Sequence, residues 1–430
     1  MGVVGWLRTH LFYSWWSGLL TLVVGYLLIA GALTLYQWGI ADAVWEASSR
    51  RECLDTSPDG ACWAGIGVWY ESFLYGRYPE SERWRVNLCF GILVLWLAPL
   101  WLRRVSAKPT IGMSAALTFP FLGAYLLSGG ERSAFTLITV PLGIATFAMC
   151  TLHVVLCLST GRSLAHWLFR LLGAERKSLR THRLTIVCLC AALTAIAGVL
   201  SSDWSLAYVR TNMWGGLFVT FLIAGVGVVV SLPGGIVLAL MRRSRMPFVR
   251  ACVIGYIEVI RSVPLITVLF FAVTMTPLFL PPTVVVDKLM MVMVAVSLFA
   301  AAYMAEVVRG GLQAVPLGQF EAAKSIGLGY WNSMRLVILP QALRHMIPNI
   351  ASQYIGLLKD TTVVSIVGLY DFMLMLRAAS QHPIWIGLHI EPFVFGGAVY
   401  LLLCFAISRY GRALERRGGA VAVGVRPPER

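Results

Sequence analysis

Between two long apolar runs the chain reads Pro316-Leu-Gly-Gln-Phe-Glu321-Ala-Ala-Lys-Ser-Ile-Gly327-Leu-Gly-Tyr-Trp-Asn-Ser-Met-Arg-Leu-Val337-Ile-Leu-Pro340. Pro316 is placed to open a short helix, because the N–H it lacks has no use in a first turn. Glu321 falls in an early turn near the positive end of the helix dipole, and Gly327 is placed to stop the helix. The spacing therefore predicts a short helix lying along a membrane face. Its exposed side is small, through Ala322 and Ala323, so another protein can approach closely, and Glu321 offers one charge to a partner's arginine.

The flanking sequence supplies the membrane. Of 430 residues, 58% are hydrophobic and only 13% charged, outside the usual range of a soluble globular chain. A bilayer core takes about 20 apolar residues of helix. Ten runs of roughly that kind begin near Ser17, Asn87, Ile111, Ala134, Leu184, Trp214, Ala251, Leu289, Val337 and Pro392. The fold class expected is all-α, a polytopic integral membrane protein of eight to ten spans.

The net charge of +15 reads as topology, because the arginines punctuate apolar runs instead of forming the surface stripe of a nucleic-acid binder. With the N-terminus inside, alternate loops of a ten-span arrangement hold 24 basic residues on the inner side and 9 on the outer. Both termini and the Pro316–Pro340 stretch are then cytoplasmic. The one sizeable outer loop, residues 41–86, carries Trp45, Trp63, Trp69, Tyr70, Tyr78 and Trp84, aromatics suited to the water interface. It is expected to lie on the membrane and pack the first helices. Cys53 and Cys62 both fall in this loop, where a disulfide and two free thiols are equally open. The remaining cysteines form no metal pattern, and no metal site is expected.

Glu321-Ala322-Ala323, three residues, Gly327, nine residues, then Val337, Leu339 and Pro340 resembles the EAA loop of bacterial ABC importer permeases. The resemblance implies a coupling helix, within residues 314–340, that docks into a separate ATPase. The segments Trp214–Thr220, Tyr256–Leu265, Ala302–Gln319 and Leu358–Ser365 are similar to the polar amino acid permeases. Val263 departs from the threonine that many of them carry. The long N-terminal half resembles the general L-amino acid permeases of the Aap and Bzt types. These likenesses imply an N-terminal membrane extension over residues 1–200, a type I ABC importer core over 201–415 and a basic tail over 416–430. They also imply an ABC ATPase dimer carrying ATP and Mg, a second homologous permease subunit, a periplasmic amino acid-binding protein, an amino acid as cargo and the bacterial inner membrane as location. No nucleic acid and no cofactor of the chain's own are expected.

Ionisable groups inside a bilayer cost about 2.5 to 3.5 kcal/mol each on insertion scales, so each calls for a reason. Glu258 and Arg261 are three apart on one helical face and are expected to pair, as are Glu306 and Arg309. Asp360 is expected either to be satisfied by Lys359 or, with Thr361, Thr220, Tyr303 and Met304, to line a path for an amino acid's ammonium group. No lysine follows a glycine, so no phosphate-binding loop is present, and no nucleophile or paired-carboxylate pattern suggests an enzyme. The competing class is an ion-coupled secondary transporter using the same intramembrane charges.

Overall fold

A computed structural model describes residues 3–100, 102, 105, 108–129, 134–160, 206–281, 283, 284 and 286–422. The described residues contain no strand, only helices joined by short connections. The helices are α1 (Val3–His10), α2 (Trp15–Tyr36), α3 (Arg50–Thr56), α4 (Ala64–Tyr75), α5 (Arg83–Leu97), α6 (Lys108–Ser128) and α7 (Ala134–Thr160). After residue 205 follow α8 (Gly216–Arg242), α9 (Pro247–Ser262), α10 (Leu265–Phe270), α11 (Lys288–Ala314) and α12 (Leu317–Ser325). The chain ends through α13 (Tyr330–Ser333), α14 (Leu339–His345), α15 (Ile347–Asp360), α16 (Phe372–Gln381) and α17 (Ile390–Ala422).

Six helical segments among the described residues are long and apolar enough to cross a membrane, or seven with one bent pair. The described residues alone thus hold fewer than the eight to ten spans expected, and the run near Leu184 lies outside them. Two runs that read as straight spans are broken. The run at Ala251 is α9 followed by α10, bent by 108° at Val263 and Pro264. Val263 is extended, as the residue before a proline prefers. The run at Val337 starts as a wide turn over Met334–Ile338, continues as α14, breaks at Met346 and restarts as α15. Pro348 cannot donate to a preceding turn, so the helix has to restart there. At about 1.5 Å per residue the 14 residues of α15 span only about 21 Å, and Asp360 closes this short helix.

The core forms where α8 and α11 pack along each other, with α15 beside them. Ile223 and Val219 of α8, Val292 and Val296 of α11 and Leu357 of α15 are buried in one cluster. Alanines at 301, 302 and 305 keep α11 narrow on this side, consistent with close approach of membrane helices. By contrast α2 buries no residue, as expected of a helix solvated by lipid.

The loop over residues 41–86 meets the first helices, as expected: the Trp63 indole N–H donates to the Gly39 carbonyl at 2.8 Å, and the Tyr78 hydroxyl donates to the Leu127 carbonyl at 2.7 Å. It folds into α3 and α4 and also packs on the C-terminal half, which the sequence did not suggest. Cys53, Cys62 and Ala64 share a buried cluster with Trp385 and Leu388, and Ile66 and Phe73 share another with Phe372, Met375 and Leu376. Cys53 and Cys62 are joined by a disulfide, with Cα atoms 5.9 Å apart. Ser49 caps α3, its hydroxyl accepting from the Glu52 N–H, while Glu52 reaches back to accept from the Ser48 N–H at 2.7 Å. The loop's exit crosses the core's backbone directly. Gly76 has φ +66°, and a Cβ there would lie 2.3 Å from the Cα of Gly215.

Candidate functional site

The breaks in the two bent runs open a cavity of about 370 Å³. The Val263–Leu265 bend forms one wall, Phe299, Tyr303 and Met304 of α11 a second, and Gln353, Tyr354, Leu357 and Asp360 of α15 a third, with Ser231 contributed by α8. Of the residues anticipated for a substrate path, Tyr303, Met304 and Asp360 meet here. Thr220 and Thr361 do not. Thr220 is fully buried, and its hydroxyl accepts from the Phe372 N–H at 3.1 Å. Thr361 is also fully buried and donates to the Leu358 carbonyl at 2.7 Å. Both hydroxyls serve the backbone.

Asp360 is half-buried and Lys359 exposed, and among the described residues they form no ion pair. Adjacent positions on a helix point to different faces, which removes the expected satisfaction of one by the other. Gln353 and Tyr354 were not foreseen. Gln353, Leu357 and Asp360 follow the i, i+4, i+7 spacing of one helical face, so reading backward from Asp360 would have found Gln353.

Below the cavity three arginines converge on one carboxylate. Glu306 accepts from Arg242 at the end of α8 and from Arg309 on its own helix at 2.6 Å, and Arg261 at the end of α9 stands 3.7 Å away. Arg242 also reaches Glu258 at 3.2 Å. The anticipated Glu258–Arg261 pair is therefore absent, because each partner is drawn to a charge on another helix. The Glu306–Arg309 pair forms at its i, i+3 spacing. Tyr303 ties the cluster to the cavity: its hydroxyl donates to the Arg261 carbonyl at 3.4 Å, and the Arg261 guanidinium lies 5.6 Å from its ring centre.

The short helix α12 follows Pro316. Its stop is a double backbone bond, with the Gly327 N–H donating to the Lys324 carbonyl at 3.0 Å and the Leu328 N–H to the Ala323 carbonyl at 3.1 Å. This closure requires a left-handed residue after the helix, and Gly327 supplies it with φ +79°. Glu321 and Ala322 are exposed. Ala323 is not, at 2% exposure, so the small outward face is narrower than the sequence suggested. Glu321 is the fifth residue of nine, beyond the first turn, so its charge is presented outward and does little for the helix dipole.

Two contacts brace α12 against the rest of the chain. The Phe320 ring lies under the Arg243 guanidinium at 5.4 Å, and the Gln341 amide donates to the Gln319 side-chain oxygen at 3.1 Å. Arg243 adjoins Arg242, so the exposed helix connects within a few residues to the Glu306 cluster and the cavity. Leu339 opens α14 half-buried, and Pro340 occupies its first turn with its ring exposed.

A membrane cavity, a charged cluster at its base and an exposed short helix braced against that cluster are the parts of a transport permease. Residues 231–418 match the family described as binding-protein-dependent transport system inner membrane component. The inner membrane amino-acid ABC transporter permease protein YhdY of Escherichia coli (strain K12) is 36% identical over 412 residues, 96% of this chain and 92% of that protein. The glutamate/glutamine/aspartate/asparagine transport system permease protein BztC of Rhodobacter capsulatus is 36% identical over 426 residues, covering 97% of this chain and 94% of the relative. The glutamate/aspartate import permease protein GltK of Escherichia coli O6:H1 is 37% identical over 207 residues, 47% of this chain but 91% of its own length. The chain belongs to the amino-acid ABC transporter permeases, of the general L-amino acid type. It is a multi-pass inner membrane subunit of a binding-protein-dependent system.

Proposed function

We propose that this chain forms one half of the membrane channel of an importer for polar or general L-amino acids. The cargo arrives from a periplasmic binding protein, enters the cavity beside Asp360 and leaves to the cytoplasm by alternating access. ATP is hydrolysed, with Mg, on a separate dimeric ATPase that docks on Glu321, Ala322 and the surface around α12. A second, homologous permease subunit supplies the other half of the channel.

The observation that carries this reading is the continuity from α12 through Phe320 and Arg243 to the Arg242–Glu306 cluster beneath the cavity. A force on α12 acts on the end of α8 and, through Arg242, on Glu258 of α9 and Glu306 of α11. The relative that is matched over nearly its full length by only half of this chain supports reading residues 201–415 as the transport core and 1–200 as an extension. The arginine bias and the disulfide-bearing loop support placing both termini inside and residues 41–86 outside.

The test is reconstitution of the permease pair with its ATPase and binding protein in proteoliposomes, followed by uptake of labelled L-amino acids. Uptake should require ATP and fall at least tenfold in Glu321→Arg. Uptake that survives removal of the ATPase would sink the proposal and restore the ion-coupled transporter.

A further inference from the structure

We infer that Arg261 is the residue that receives the α-carboxylate of the transported amino acid, at the inner rim of the cavity; this rests on the amino acid reading above. The charges at the base of the cavity do not balance. Arg242, Arg261 and Arg309 face Glu258 and Glu306, three cations to two anions. The surplus falls on Arg261. Arg242 bonds to both carboxylates and Arg309 bonds to Glu306 and Gln313, whereas Arg261 stands off Glu306 at 3.7 Å. Its guanidinium makes no side-chain hydrogen bond among the described residues, although it carries five N–H donors in a fork that matches a carboxylate.

Position points the same way. Arg261 is 37% exposed and stacks over the ring of Tyr303, which lines the cavity. The chain then turns through Val263 and Pro264, which line the cavity as well. Asp360 supplies a carboxylate on the α15 wall. An amino acid backbone carries one ammonium and one carboxylate, and a low-dielectric passage has to meet both charges. Asp360 meets the ammonium and Arg261 the carboxylate, with Glu306 holding Arg261 loosely while the cavity is empty. Tight pairing would make the guanidinium unavailable, so the long Glu306 contact is part of the recognition.

The experiment measures binding of tritiated L-glutamine, L-glutamate, L-arginine and L-alanine to the purified permease–ATPase complex without binding protein, with the α-carboxamide of each as competitor. The wild type should prefer an amino acid over its amide by at least tenfold. In Arg261→Gln that preference should shrink to within about twofold through weaker binding of the acid alone, and Arg261→Lys should recover part of it. An Arg261→Gln complex that keeps the tenfold preference, or that weakens acid and amide equally, overturns the assignment while leaving the amino acid reading in place. A wild-type complex that binds none of the four amino acids overturns that reading and the Arg261 assignment with it.

Discussion

Glu391, at the head of the last long helix, accepts from Arg50 at 3.1 Å and from the Cys62 N–H at 3.1 Å, and so fastens the disulfide-bearing loop to the C-terminal half. Glu391 is 3% exposed, and the Arg50 side chain 18%. Losing one partner of such a pair strands the other's charge. Glu391→Gln should cost roughly 2 to 3 kcal/mol, and Arg50→Gln a similar amount. Thermal unfolding of the detergent-purified chain checks this, and the double variant should lose clearly less than the two losses added together.

Gly76 and Gly215 meet backbone to backbone, where the 41–86 loop crosses the start of α8. An alanine at 76 needs φ +66° and places its Cβ 2.3 Å from the Gly215 Cα. Relief requires moving the crossing itself, so Gly76→Ala should cost at least about 3 kcal/mol and lower the yield of intact protein. Limited proteolysis should cut first within residues 41–86. A wild-type digestion pattern would contradict the fixed crossing.

At Gly327 space is open, with nothing within 4 Å of an added Cβ, and only the positive φ resists substitution. Gly327→Ala should therefore destabilise by only about 1 to 2 kcal/mol. Glu321→Ala, on an exposed site, should change stability by less than about 0.5 kcal/mol. Both should still reduce ATP-driven uptake severalfold, while amino acid binding at the cavity stays as in the wild type. Normal uptake in both would remove α12 from the coupling route.

Asp371 caps α16, its carboxylate accepting from the N–H groups of Met373 and Leu374 at 3.2 and 3.0 Å. Burial pushes its carboxyl from the ordinary 3.8 up to about 7, against the pull of those N–H groups and of Arg377. The folded chain thus holds this proton longer than the unfolded one. The stability it contributes is full below about pH 4 and is lost as pH rises through about 7. Asparagine caps equally well without a proton to lose. Melting temperatures between pH 4 and 8 should fall less steeply in Asp371→Asn than in the wild type, and an identical slope would rule Asp371 out as the source.

Local signals carried much of the fold, and long-range ones were lost. Pro316 and Gly327 could be read because a helix start and a left-handed stop depend on a few neighbouring residues. The break at Met346 also had its local sign in Pro348, but the apolar run around it reads as continuous. The Glu258–Arg261 pair failed for the opposite reason. The i, i+3 rule sees one helix, whereas Arg242 reaches Glu258 from a neighbouring helix 16 residues away and Glu306 from 64 away. In the cavity, Asp360 and Tyr303 could be found as a charge and an aromatic inside apolar runs, and Met304 as the neighbour of Tyr303. Thr220 could not be told from a lining residue, because its partner, the Phe372 N–H, is 152 residues distant.

The disulfide also sets an order on how the molecule is made. Cys53 and Cys62 are nine residues apart and can be joined as soon as their own short loop has been made. Glu391, which receives the Cys62 N–H, is synthesised 329 residues later. A cross-linked loop must therefore wait, without its dock, while most of the polypeptide is still being inserted. Folding of this end of the molecule finishes only when the last long helix arrives, so a chain truncated before Glu391 would reach the membrane with its first loop sealed and nowhere to seat it.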